Sequence, residues 1–134
     1  MSSSAYATLA IVVLGLLYVW FKQIKIDHPQ QPDPDKEVLE QLRSAGSNMS
    51  KPHKIDFFLY APSESVAIKM KEVLLSKGFS AQVKKSEKGH DWLCQGFKEM
   101  IPSYDSLLVI RSEFTELTKK YGGQYDGWGC PVEP

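Results

Sequence analysis

Hydrophobic and polar positions change rhythm several times along the chain, and each rhythm predicts an element. Ala5–Phe21 is predominantly apolar and carries no charge. It ends in Tyr18, Trp20 and Phe21, followed by Lys22 and Lys25. At 1.5 Å per residue a helix of that length covers ~25 Å, slightly less than a ~30 Å hydrocarbon core. The pattern predicts a transmembrane anchor over 1–22. Two lysines after the span and none before it place the remainder on the cytoplasmic side of an inner membrane, as a single-pass protein. A cleaved signal peptide would need a basic leader and a small-residue cleavage site, which this stretch lacks.

The segment 23–34 reads as a linker, because Pro29, Pro32 and Pro34 favour extended geometry. The folded domain is expected over 35–134. Its first helix has Asp33 as N-cap, Pro34 in the first turn, and a stripe of Val38, Leu39 and Leu42. Gly46 ends it. Lys54–Tyr60 then alternates with apolar residues on both faces: Ile55, Phe57 and Leu59 on one, Phe58 and Tyr60 on the other. That is the pattern of a central strand. Ser63 caps a helix whose apolar face carries Val66, Met70, Val73 and Leu74, and Gly78 stops it.

Phe79–Lys85 has one apolar and one polar face, as an edge strand does. Glu87-Lys88-Gly89 is a turn signal. In Asp91–Ile101, Trp92, Cys94 and Met100 share one face, and Leu93, Phe97 and Ile101 the other; this strand also reads as central. Ser103 caps a long helix with Leu107, Ile110, Phe114, Leu117 and Tyr121 at spacings of three and four. Gly122-Gly123 ends it, and Gln124–Val132 is a last strand interrupted by glycines. The order predicts an α+β fold: a ferredoxin-like βαββαβ sandwich with an extra N-terminal helix. Either that extra helix covers the sheet face carrying Phe58 and Tyr60, or a partner does; the first is expected.

Charge and chemistry narrow the function classes. The chain has 134 residues, 16 basic and 16 acidic, with no net charge. That balance disfavours a general nucleic-acid binder. Cys94 and Cys130 lack the C-x-x-C spacing of a zinc or redox site and read as free thiols. His28, His53 and His90 are scattered; His90-x-x-x-Cys94 alone falls short of a zinc ligand set. There is no phosphate-cradling loop and no G-x-S-x-G elbow. No catalytic residue, metal or cofactor is expected, and the protein is not read as an enzyme. An RNA-recognition sheet would stack bases on Phe58, Tyr60, Trp92 or Phe97. However, the basic-glycine-aromatic octamer expected on its third strand is missing. Lys84, Lys85 and Lys88 gather at one hairpin only. A membrane-tethered RNA-binding module is therefore the alternative rather than the leading expectation.

Gly123–Gly129, GQYDGWG, is the unusual stretch. Asp126-Gly127 signals a tight turn or bulge, since Gly accepts positive φ. Tyr125 and Trp128 would lie on either side of the bend, serving either as an interaction surface or as a structural plug. A strand–helix–strand–strand–helix domain that ends in Tyr125-Asp126-Gly127-Trp128-Gly129 resembles the RraB family, the protein inhibitors of ribonuclease E. The element order and the loop Ala45-Gly46-Ser47 support the resemblance, which covers roughly Asp35–Val132. It implies a non-enzymatic domain that binds the ribonuclease or its assembly, with Tyr125, Asp126, Gly127, Trp128 and Gly129 as candidate contacts. The chain departs from the family pattern in two ways. Its relatives are typically soluble, and many continue into an acidic tail.

Overall fold

The computed structural model describes residues 32–87, 89 and 91–134. The expected anchor over 1–22 and most of the linker over 23–34 lie outside the described residues, as do Lys88 of the turn and His90. Among the described residues no helix is long and apolar enough to cross a membrane. The longest, Tyr104–Lys120, has 17 residues and is amphipathic, with Ser112, Glu113, Glu116 and Lys119 on its outer side. The membrane-anchored fold, the single-pass placement at an inner membrane and the membrane partnership therefore find no support and are set aside. What the structure supports is the α+β domain.

That domain runs α1 (Pro34–Ser44), β1 (His53–Ala61), α2 (Glu64–Ser76), β2 (Ser80–Lys85), β3 (Trp92–Met100), α3 (Tyr104–Lys120) and β4 (Gln124–Gly129). The four strands form one antiparallel sheet in the order β2-β3-β1-β4. This is the split βαβ arrangement of a ferredoxin-like sandwich. The strands apolar on both faces, β1 and β3, are central; β2 and β4 are the edges.

Each helix starts where its cap residue dictates. The Asp33 side chain accepts from the Asp35 and Lys36 amides, Ser63 from Val66, and Ser103 from Ser106. In β1, His53, Ile55, Phe57, Leu59 and Ala61 are buried, while Asp56, Phe58 and Tyr60 are half-exposed. Helix α2 packs on β2 and β3, and α3 packs on β4 and β1. Beneath them, Phe57, Phe79 and Phe114 meet edge to face at 5.1–5.5 Å between ring centres. Such a geometry contributes about 0.5–1.5 kcal/mol per pair beyond simple burial. The expected stripe on α3 gains one polar member: Thr118 is buried, beside Leu117, which packs half-buried against the core. The Thr118 hydroxyl satisfies itself by donating to the Phe114 carbonyl at 2.8 Å, so a polar residue sits in the core without an unpaired group.

Helix α1 does not cover the sheet face that carries Phe58 and Tyr60, contrary to expectation. It packs on α3 and on β4, on the same side as the other helices. Leu39 and Leu42 are buried there. All three helices thus serve one face of the sheet.

Two glycines in β4 and its approach test how tightly the chain is packed. A Cβ built on Gly123 would collide with the Tyr60 carbonyl oxygen, whereas one on Gly129 meets nothing within 4 Å. The first contact is with backbone, which cannot swing away. Gly123→Ala is expected to destabilise the fold by about 2–3 kcal/mol or more, and Gly129→Ala by less than about 0.5 kcal/mol. Urea unfolding midpoints of the two variants measure the difference; equal midpoints would mean that the β1–β4 approach is looser than described.

Candidate interaction surface

The GQYDGWG stretch forms the edge strand β4, and its geometry rests on a bulge. Phe57 pairs with Trp128 and Leu59 with Tyr125, so Asp126 and Gly127 both stand against Phe58. Gly127 takes φ 92°, a left-handed conformation that suits glycine. In a regular strand, residues three apart point to opposite faces. The extra residue cancels that offset. Tyr125 and Trp128 lie on either side of the bulge and both turn toward the helices.

Trp128 is 6% exposed and belongs to the core. Its indole N–H donates to Asp35 Oδ1 at 3.1 Å. Asp35 is fully buried and receives two more bonds, from Arg111 Nε at 2.7 Å and Nη2 at 2.9 Å. One carboxylate therefore joins α1, α3 and β4. Its bonds to Arg111 hold the guanidinium above its ordinary range. The guanidinium carbon lies 5.4 Å from the centre of the Tyr125 ring. Beside this, Tyr104 donates to Asp33 Oδ2 at 2.6 Å. That bond holds the Asp33 carboxyl below its ordinary value and the Tyr104 phenol above its own. Burial raises the Tyr125 phenol, whose buried oxygen has no partner among the described residues.

Of the five candidate contacts, Asp126 is exposed, Tyr125, Gly127 and Gly129 are half-buried, and Trp128 is buried. The bulge consumes Gly127, and the core consumes both aromatic rings. On the opposite face of the sheet stand Phe58, Tyr60 and Phe97, half-exposed, with Asp56, Gln95 and Gln124 around them. Gln82 donates to Gln95 across β2 and β3 at 3.2 Å. Trp92 is not part of this surface: it lies on the helix side with Cys94 and packs against the core. Of the aromatics named for the RNA-binding alternative, Trp92 is thereby withdrawn, while Phe58, Tyr60 and Phe97 stay on the open face.

Cys94 is buried and its thiol is pushed up to about 11 by that burial; it is a small core side chain and a poor nucleophile. A buried serine–histidine pair escaped sequence reasoning. His53 Nδ1–H donates to the Lys51 carbonyl at 2.7 Å, which leaves Nε2 to accept from the Ser47 hydroxyl at 2.6 Å. Ser47 in turn accepts from the Glu133 amide at 3.0 Å. The pair ties the loop after α1 to the segment after β4. Nothing in the sequence signalled it beyond the position of His53 at the start of a strand.

The family model described as Regulator of ribonuclease activity B, RraB, matches residues 33–130. The chain belongs to the RraB family. The match starts at Asp33, the cap residue of α1, so the helix bound by Asp35 lies within the region matched. RraB domains are regulatory and not enzymatic, and this chain is accordingly not an enzyme. A search of curated proteins finds no match to it.

The carboxylate network generates sharp expectations. Asp35→Ala leaves Arg111 and the Trp128 N–H unpaired and is expected to cost about 3–5 kcal/mol, read as a lowered unfolding midpoint. Tyr125→Phe removes a buried hydroxyl without a partner; it is expected to leave stability unchanged or raise it by about 1 kcal/mol. Loss of stability there would show that the hydroxyl has a partner.

The Asp33–Tyr104 bond has two pH limits. A lowered carboxyl value makes its contribution present above 3.8 and lost as pH falls through the folded value. A raised phenol value makes it present below 10.0 and lost as pH rises through the folded value. The stability difference between wild type and Tyr104→Phe should be widest between those limits and shrink outside them, as measured by urea unfolding across pH.

Proposed function

We propose that this domain regulates ribonuclease activity by binding a ribonuclease of the E type, or its assembly, and lowering cleavage of RNA through occlusion or altered assembly. The observation that carries this reading is the open sheet face in a chain of the RraB family. Phe58, Tyr60 and Phe97 are half-exposed there, while all three helices pack on the other side. Half-exposed aromatics on a rigid sheet are well suited to anchor a protein partner. They contribute large contact area with little side-chain entropy to lose.

Within this reading the Tyr125–Gly129 motif divides its labour. Asp126 is its exposed member and offers a carboxylate at the rim of the surface. Tyr125, Gly127, Trp128 and Gly129 support it by fixing the bulge and the edge of the sheet. A partner that recognises the motif would thus meet one side chain and the shape set by the other four residues.

The test combines binding with catalysis by the partner. The full chain, added to purified ribonuclease E, is expected to form a complex and slow cleavage of a short RNA. Phe58→Ala combined with Phe97→Ala is expected to weaken the complex at least ~30-fold, or about 2 kcal/mol, as truncation of interface anchors does. Val109→Asp, an exposed site on α3, serves as control and should leave binding unchanged. Absence of a complex and of any change in cleavage would overturn the proposal. Loss through Val109→Asp with retention in the aromatic variant would move the interface to the helices.

A further inference from the structure

The sheet face left bare by the helices carries its charges in a particular order. On the two central strands the register pairs on that face are Tyr60–Leu93, Phe58–Gln95, Asp56–Phe97 and Lys54–Glu99. On the edges Lys84 of β2 and Gln124 of β4 extend the first of these rows, and Asp126 stands beside the second. Leu93 is buried, yet it lies outside the core cluster beneath the helices. With Phe58, Tyr60 and Phe97 it gives the open face an apolar centre. Lys54, Lys84, Glu99 and Asp126 are exposed around it, and none of them is in an ion pair among the described residues.

That order is self-complementary. A twofold axis running along the strands, between β3 and β1, turns a second copy over onto the face. It sets β1 over β3 of the second copy and β2 over its β4, with the rows kept in step. Lys54 then meets Glu99 of the other copy, and Tyr60 meets Leu93. Lys84 meets Gln124, one row from Asp126. Symmetry repeats each contact, so both ends of the face gain two opposite-charge pairs. Sheets packed face to face keep their strands within ~30° of each other, which such an axis allows. A twofold axis running across the strands reverses the rows instead. It sets Leu93 against Glu99 and Phe58 against Asp56, and so buries carboxylates on apolar groups. At ~4.8 Å between strands and ~3.4 Å per residue, the face covers about 500 Å². Two such faces bury about 1,000 Å², the size at which specific association begins.

We propose that two copies of this chain pack through their open sheet faces about the strand-parallel twofold axis, with reciprocal Lys54–Glu99 and Lys84–Asp126 pairs at the two ends of the apolar centre. The dimer covers the aromatics that a ribonuclease would contact, so dimer and ribonuclease complex exclude each other. That exclusion rests on the ribonuclease-regulator reading; the dimer itself does not.

The experiment is sedimentation equilibrium of the full chain. A monomer–dimer equilibrium is expected, with a dissociation constant on the order of 10 μM for an interface of this size. Lys54→Glu and Glu99→Lys, both at exposed positions, each set like charges opposite one another in both symmetry-related pairs. Each variant alone should associate at least ~10-fold more weakly than the wild type. In an equimolar mixture the two variants meet with opposite charges at both pairs, and association should return to the wild-type strength. A chain that stays monomeric well above that concentration overturns the proposal. So does association unmoved by either reversal, or a mixture no stronger than its components. A second arm adds ribonuclease E to the dimer, which should dissociate as the complex forms. A complex that keeps the dimer intact would overturn the exclusion. A dimer without any ribonuclease complex would support the self-association and overturn the regulator reading; a ribonuclease complex formed by a strictly monomeric chain would do the reverse.

Discussion

The organisation of this domain depends on one buried carboxylate. Asp35 has no solvent contact and is held by three N–H groups, two from Arg111 and one from Trp128. Burying a carboxylate is costly unless its lone pairs are satisfied and a counter-charge is in place. Both conditions hold here, through one helix and one strand that are far apart in sequence. The position of α1 follows. Leu39 and Leu42 alone would let that helix slide or rotate on an apolar surface. The planar fork of Arg111 gripping both carboxylate oxygens permits one register. Asp33 and Tyr104 add a second fixed point, two residues earlier on the α1 side.

The bulge in β4 is what makes this arrangement possible. Trp128 reaches Asp35 because Gly127 inserts an extra residue against Phe58. Without it, Trp128 would face the opposite side of the sheet, and the indole N–H would have no acid to meet. The same insertion leaves Asp126 exposed at the rim. A single local irregularity therefore produces both the internal lock and the outward carboxylate. This explains why an edge strand of six residues contains two glycines and two aromatics. The sequence is poor for a regular strand and well suited to a bulged one.

Much of the fold was legible because strand polarity reports position. Apolar residues on both faces of Lys54–Tyr60 and Asp91–Ile101 marked central strands, and the alternation in Phe79–Lys85 marked an edge. The sheet order agrees with each. Caps at Asp33, Ser63 and Ser103 were readable for the same reason: a side-chain oxygen one position before a helix has one physical use there. What could not be read was long-range pairing of polar groups. Asp35 looks like an ordinary acidic residue in a first helical turn, where the macrodipole welcomes it. Arg111 looks like a solvated charge on α3. Only the third dimension places them in contact, 76 residues apart. The location of α1 was misjudged through the same gap, since its apolar stripe fits either face of the sheet equally well. Local composition also fails at the opposite extreme. The apolar run Ala5–Phe21 predicts a membrane anchor, yet the family match covers 33–130 and no helix among the described residues is long and apolar enough to cross a membrane.

The segregation of faces gives the domain its functional logic. Three helices on one side satisfy the sheet there, and their own packing consumes the motif aromatics Tyr125 and Trp128. Had α1 lain on the other side, Phe58, Tyr60 and Phe97 would have become core residues, and the surface would be a plain helical one. The lock through Asp35 prevents that. It holds α1 beside α3 with a directional, charged interaction that an alternative docking on the open face could not satisfy, because no arginine lies on that face among the described residues. Moving α1 there would leave a carboxylate and a guanidinium both unpaired, at a cost of several kcal/mol. The buried ion pair thus acts chiefly through selection. It excludes the arrangement in which the aromatic face is self-covered, and so keeps that face open to another molecule.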